Sequence, residues 1–159
     1  AHLGPFSMPG KRDREIARAA LATIGIERLA DSIYTRISGG ERQMVLIARA
    51  LAQEPRVLIM DEPTASLDFG NQVRVLERIQ RLARTGLAIV LSTHDPDQAF
   101  LVADRVAMLH EGRLVRFGPP AETITPESLK LVYGVDIAVM EIAAAGDARR
   151  VCVPALAPR

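Results

Sequence analysis

Two hydrophobic periods alternate along this chain. From Asp13 onward, Ile16, Ala20, Leu21 and Ile24 recur at the spacing of one helix face, and Gly25 stands where a left-handed glycine ends a helix. Before them, residues 1–10 read as loop. An irregular stretch with Leu29, Ile33 and Tyr34 leads to Ser38-Gly39-Gly40-Glu41, where Ser38 and Glu41 have capping-box spacing; the spacing predicts a helix through about Leu51, which Pro55 cannot continue. The period then changes. Val57-Leu58-Ile59-Met60 is a continuous apolar run, the pattern of a parallel strand buried on both faces, and it stops at Asp61-Glu62-Pro63. Val73, Leu76, Ile79 and Leu82 predict a second core-facing helix closed by Gly86, and Leu87–Leu91 a second buried strand ending in Ser92-Thr93-His94. A short helix from Gln98 to Val102 follows. Strands Arg105–Leu109 and Leu114–Phe117 form a hairpin about Glu111-Gly112. Thr125-Pro126 supplies a cap and a first-position proline for a helix ending at Gly134, and the tail from Val135 alternates as weak strands do.

Helices thus alternate with buried strands, and polar residues gather where each strand ends, the edge at which open parallel α/β sheets bind ligands. No internal repeat appears, and the only low-complexity stretch, Ala143-Ala144-Ala145-Gly146, reads as a surface turn.

Composition narrows the picture. The 159 residues are 48% apolar, enough for an ordinary core, and a net charge of +1 argues for neither a nucleic-acid partner nor a membrane-surface patch. A lone cysteine, Cys152, excludes an internal disulfide framework, fits a reducing compartment and reads as a small residue of a terminal strand. No apolar run approaches the ~18–20 residues that span a bilayer, and the first residues have neither signal-peptide nor transit-peptide layout, so a membrane role comes through a partner.

Several groups at the strand ends and helix starts carry chemistry. Gly4–Arg12, GPFSMPGKR, looks like a phosphate loop, but it has five residues between its glycines, Arg12 in place of the hydroxyl, and two prolines without N–H groups. The only other lysine, Lys130, sits in apolar context, so these residues contain no phosphate loop. Asp61 and Glu62 are adjacent carboxylates directly after a strand. They read either as first-turn acids of a helix or as a pair that divides two tasks: one holds Mg²⁺ through its water shell, the other orients or deprotonates an attacking water. His94 reads either as a core histidine or, if the two strands are neighbours, as a donor to a terminal phosphate at the same edge. Ser38-Gly39-Gly40 joins a hydroxyl to close-approach glycines at a helix N-terminus, which favours an anion.

In order and spacing, these motifs resemble the C-terminal part of an ATP-binding-cassette (ABC) ATPase. Ile37-Ser38-Gly39-Gly40-Glu41 resembles the family signature, with Ile and Glu for the usual Leu and Gln. Val57–Glu62 resembles the Walker B strand with its catalytic glutamate, Ser66-Leu67-Asp68 the D-loop, and His94 the switch histidine. The match covers roughly residues 11–118. The early Pro/Gly loop, Leu67–Gln72 and Gly118-Pro119-Pro120 look most like the subfamily serving importers of iron–siderophores, haem or cobalamin.

The resemblance implies a partial P-loop (RecA-like) fold, a mostly parallel sheet flanked by helices, without the N-terminal strands. Residues 1–52 would belong to the helical signature subdomain, 53–118 to the ATPase core, and 119–159 to a C-terminal helix and weak strands. The Walker A loop, the adenine-stacking aromatic and the Q-loop glutamine would lie upstream, leaving the chain inactive alone.

The resemblance further implies ATP and Mg²⁺ as ligands: Asp61 for the metal, Glu62 and His94 as catalytic groups, and Ser38, Gly39, Gly40, Glu41, Ser66 and Asp68 around nucleotide. It implies a head-to-tail second ATPase domain whose nucleotide meets Ser38 and the Gly39 and Gly40 amides in trans, with Asp68 coupling the two sites. Permease subunits would hold the pair at the cytoplasmic face of the membrane, a substrate-binding protein would act indirectly, and no nucleic acid is involved. Two rival readings exist. A soluble cassette ATPase of DNA repair or chromosome organisation would interrupt the segment before the signature with a long coiled coil, and the first helix here has no sustained heptads. A non-catalytic regulatory module would have no reason to keep both Glu62 and His94.

Overall fold

The computed structural model describes residues 8–144 and 147–155. Gly4–Ser7 of the early loop, and Ala145 and Gly146 of the expected surface turn, lie outside the described residues. The chain forms two compact units, Ala1–Ser92 and Thr93–Arg159.

In the first unit, α1 spans Lys11–Ile24, two residues longer at its start than the apolar period indicates. Gly10 donates its N–H to the Asp13 carboxylate at 2.8 Å, so Lys11 and Arg12 fill the first turn. Gly25 ends the helix as expected at φ 76°, with its N–H bonded to the Ala22 carbonyl and that of Ile26 to Leu21. α2 spans Gly39–Leu51 and buries Met44, Ile47 and Ala48. β1 (Val57–Met60) and β2 (Ala88–Leu91) pair in parallel across α3 (Phe69–Ala83), in register from Val57↔Ala88 to Met60↔Leu91. Ala20 and Ile24 of α1, Ile47 of α2, and Val75, Ile79 and Leu82 of α3 pack into one core with Leu58 and Met60 of β1.

Two sequence expectations are corrected here. Among the described residues neither strand is covered on both faces: Leu58 and Met60 of β1 are buried, but Ile59 of β1 is 76% and Val90 of β2 56% exposed. The side chains that pack with the strand come from α1, α2 and α3 and meet Leu58 and Met60; alternation along a strand points Val57 and Ile59 the other way. Within α3, Val73 faces solvent and Val75 is fully buried instead, because the buried stripe runs through 75, 76, 79 and 82.

The second unit starts with α4, Pro96–Val102, two residues before the expected start, because Asp95 accepts the Asp97 N–H at 2.9 Å and Pro96 pre-sets the first turn. β3 (Val106–His110) and β4 (Arg113–Gly118) form the expected antiparallel hairpin, with Glu111 and Gly112 at positive φ and an irregularity between Met108 and Leu109. A one-turn helix α5 (Pro120–Thr123) was not legible in the sequence. α6 (Pro126–Tyr133) has the predicted Thr125 cap and ends at left-handed Gly134. The tail is firmer than weak strands: β5 (Ile137–Ala144) and β6 (Asp147–Pro154) pair as an antiparallel hairpin, and Cys152 sits in its second strand. Ala99, Ile124 and Leu129 form this unit's core, flanked by Phe100, Val106, Met108 and Ile137. Among the described residues the strands make three two-stranded sheets, one parallel and two antiparallel.

Candidate functional site

Because β1 and β2 run parallel and in register, the residues that follow them leave the sheet at the same end. Ser92 continues the ladder by one step, donating its N–H to the Met60 carbonyl at 3.0 Å. Its hydroxyl then donates to Asp61 Oδ1 at 2.5 Å and accepts the Glu62 N–H at 2.9 Å. One serine therefore fixes both members of the acidic pair, with both carboxylates in water rather than in the core. Glu62 lies at φ 42° and Ser66 at φ 62°, left-handed positions that cost a non-glycine residue roughly 1–2 kcal/mol each. The turn between them is held by the Ala65 N–H on the Glu62 carbonyl, by buried Pro63 and Thr64, and by Gln72 donating Nε2 to the Leu67 carbonyl at 3.1 Å.

At the start of α2 the capping box forms as the spacing predicts. Glu41 donates its N–H to Ser38 Oγ at 3.3 Å, and Glu41 Oε2 accepts the Ser38 N–H at 2.9 Å. Arg28 Nη2 meets Glu41 Oε1 at 2.7 Å. The Ser38 backbone N–H, followed by the Arg28 guanidinium, holds the Glu41 carboxyl down to about 2. Glu41 is thus engaged within its own helix start, and the amides of Gly39 and Gly40 are the first-turn donors that α2 itself does not use. These glycines also touch the start of α3. A Cβ on Gly40 would lie 2.5 Å from Asn71 Oδ1, and one on Gly39 would lie 3.8 Å from Leu67 Cδ2.

Asp68 is the N-cap of α3. It accepts the Asn71 N–H at 2.9 Å and Asn71 Nδ2 at 2.6 Å, and these bonds, the backbone one first, lower its carboxyl below the usual range. The first unit accordingly brings Asp61 and Glu62 together through Ser92, and sets Gly39 beside Leu67 and Gly40 beside Asn71. Sequence reasoning missed Ser92 as a functional residue, because its bonds depend on the β1–β2 register that places it next to Met60.

His94 is the second residue of the second unit, where its backbone carbonyl accepts the Tyr133 hydroxyl at 2.8 Å. It borders a cavity of about 260 Å³ lined also by Asp97, Tyr133, Ile137 and Cys152. The Cys152 thiol is pushed up to about 12, by burial first and then by Asp97, which leaves it a packing group rather than a nucleophile. Among the described residues no three His, Cys, Asp or Glu side chains converge to hold a metal ion. Asp61 alone suits a cation whose remaining ligands are phosphate oxygens and water.

The first unit thus sets an acidic pair at the end of a parallel strand, with a glycine-led helix start and a capped turn in the same unit. Residues 5–65 match the family described as ABC transporter. An uncharacterized ABC transporter ATP-binding protein of Haemophilus influenzae is 44% identical over 133 residues, 84% of this chain and 51% of that protein. The hemin import ATP-binding protein HmuV of Gloeobacter violaceus is 42% identical over 140 residues, 84% of this chain and 51% of that protein. A solved structure, an inward-facing putative metal-chelate type ABC transporter, is 31% identical with a TM-score of 0.90, over 98% of this chain and 62% of its own. The chain belongs to the ABC transporter ATP-binding family. It spans about half the length of the curated relatives it matches.

Proposed function

We propose that this chain is part of the ATP-binding and hydrolysing subunit of an importer that carries an iron-bearing chelate or a related compound: haem, a siderophore complex or cobalamin. The observation that carries the ATPase reading is the Ser92 hydroxyl joining Asp61 and the Glu62 backbone at the carboxyl end of the parallel pair. The cargo class rests on the resemblance to hemin import proteins and to a metal-chelate type transporter.

In this reading Glu62 orients and deprotonates the water that attacks the γ-phosphate. The left-handed turn at Glu62 and the Ser92 bond to its N–H fix the backbone from which that carboxylate reaches out. Asp61, with one oxygen on Ser92, offers its other oxygen to the water shell of Mg²⁺. When bound, that ion neutralises charge on the phosphate oxygens. His94, two residues beyond Ser92 in the chain, donates to the γ-phosphate. Ser38 and the Gly39 and Gly40 amides meet the γ-phosphate held by a second ATPase domain packed head to tail, with Glu41 fixing the helix start behind them. Ser66 and Asp68 lie at the same interface, and Asp68 couples the two nucleotides.

ATP binds the closed pair more tightly than the open one, and that difference drives permease subunits at the cytoplasmic face of the membrane. A substrate-binding protein delivers the cargo, and nucleic acid has no part. Among the described residues no helix is long and apolar enough to cross a membrane.

The test is steady-state phosphate release with Mg-ATP. The 159 residues contain no Gly-Lys-Ser/Thr loop, so this chain alone is expected to release phosphate no faster than buffer, and the full-length protein to hydrolyse ATP in a Mg²⁺-dependent way. Turnover by the chain alone, or none by the full-length protein, would contradict the reading.

A further inference from the structure

We infer that Tyr133 is a positioning residue for His94: its phenol, at the last residue of α6, holds the peptide from which the imidazole is presented. The inference rests on the role given to His94 above.

The peptide between His94 and Asp95 is bonded at both edges. Its N–H, on Asp95, donates to Thr93 Oγ1 at 3.1 Å, and its carbonyl, on His94, accepts the Tyr133 hydroxyl at 2.8 Å. A peptide plane gripped on opposite sides cannot rotate without breaking one bond, and that rotation is what sets ψ of His94 and thus the direction of its side chain. The Thr93 bond is local. The Tyr133 bond comes from 39 residues away and ties the strand-end loop to a separate helix.

That helix is a firm support. Leu129 is fully buried, Thr125 caps the first turn, and Ser128 Oγ donates to the Thr123 carbonyl at 2.8 Å. A second tie acts on the same loop's far side: Cys152 donates its N–H to Asp97 Oδ1 at 2.7 Å, fixing the first turn of α4 to β6. Burial, and then the nearby Asp95 charge, raise the Tyr133 phenol, so it keeps its proton and remains a donor. The segment after residue 118 thereby takes part in orienting a catalytic group.

Tyr133→Phe in the full-length protein removes one oxygen and keeps the ring. Two readouts are expected to move together. The His94 imidazole resonance shifts or broadens in the proton–carbon spectrum while that of His110 stays in place. The kcat for ATP falls roughly fivefold, the order expected for one hydrogen bond, with KM changed by less than about twofold. An unmoved His94 resonance, or a kcat within about twofold of the parent, would overturn the inference. Lys130→Met breaks the exposed pair that Lys130 of the same helix makes with Asp136 beyond its end, and is expected to leave both readouts alone; a matching change there would assign the effect to loosening of α6 and overturn the inference as well. The spectrum reports the Tyr133 bond without any turnover. Failure of the ATPase reading itself would show separately, as full activity in Glu62→Gln.

Discussion

Glu62→Gln in the full-length protein lowers ATP turnover by at least about a hundredfold while leaving Mg-ATP binding intact, because a positioned general base contributes ~10²–10⁴ in rate. The amide has nearly the shape of the carboxylate, so the left-handed backbone at Glu62, its N–H bond to Ser92 and the Ser92 bond to Asp61 all persist. What disappears is the ability to take a proton from water. Phosphate release and calorimetric titration with Mg-ATP on the same preparation separate the two effects. Turnover within about tenfold of the parent would take Glu62 out of the role of base, since the smallest expected contribution is an order of magnitude larger.

Gly40→Ala has the next largest expected effect, and competing magnitudes decide its sign. Alanine in place of glycine in a helix is normally worth a gain of roughly 0.5–1 kcal/mol. Here the added Cβ would lie 2.5 Å from Asn71 Oδ1 and 3.0 Å from Asn71 Cβ, and Asn71 has little room to yield. Its Nδ2 is bound to Asp68, its Oδ1 accepts Arg74, and its N–H completes the cap of α3. Overpacking of this kind costs ~1–3 kcal/mol, so the variant loses stability, and the loss falls where the α2 start meets the cap of α3. A thermal melt of the 159-residue chain is expected to show a lower midpoint, and Asn71→Gly in the same background to restore most of it. An unchanged or higher midpoint would show that Asn71 swings clear and that the contact is soft.

These two sites differ in how far the sequence discloses them. Ser38 and Glu41, Gly25, Thr125 and Gly134 were all legible, because caps and left-handed helix ends depend on residues within one turn of each other. Asp61 and Glu62 were legible as a pair for the same reason, since a strand that ends in two acids shows it locally. Ser92 was not. Its bonds reach across 31 and 30 residues and exist only because β1 and β2 pair in one register, which no local pattern specifies.

The Gly40–Asn71 contact, again 31 positions apart, is of the same kind: the sequence shows two glycines at a helix start but not which of them is pressed against another helix. The apolar run Val57–Met60 reads as covered on both faces because periodicity reports hydrophobicity, not what lies opposite. Among the described residues, helices pack with Leu58 and Met60 and leave Ile59 open. Val73 was mistaken for Val75 because both satisfy helical spacing with Leu76 or Ile79 when the stripe is read from a different starting residue. Tyr133 could not be connected to His94 from sequence at all, since a backbone carbonyl leaves no mark on residue identity.

In the proposed reading Asp61, Glu62 and His94 act on one triphosphate. The most direct measurement of this replaces Mg²⁺ by paramagnetic Mn²⁺ in the full-length protein with bound ATP and follows the histidine resonances. Mn-ATP is expected to broaden the His94 imidazole signal strongly and to affect His110 far less, and Asp61→Asn to weaken the broadening by loosening the metal. A His94 signal that stays sharp with Mn-ATP fully bound would place the imidazole away from the phosphates and contradict the account.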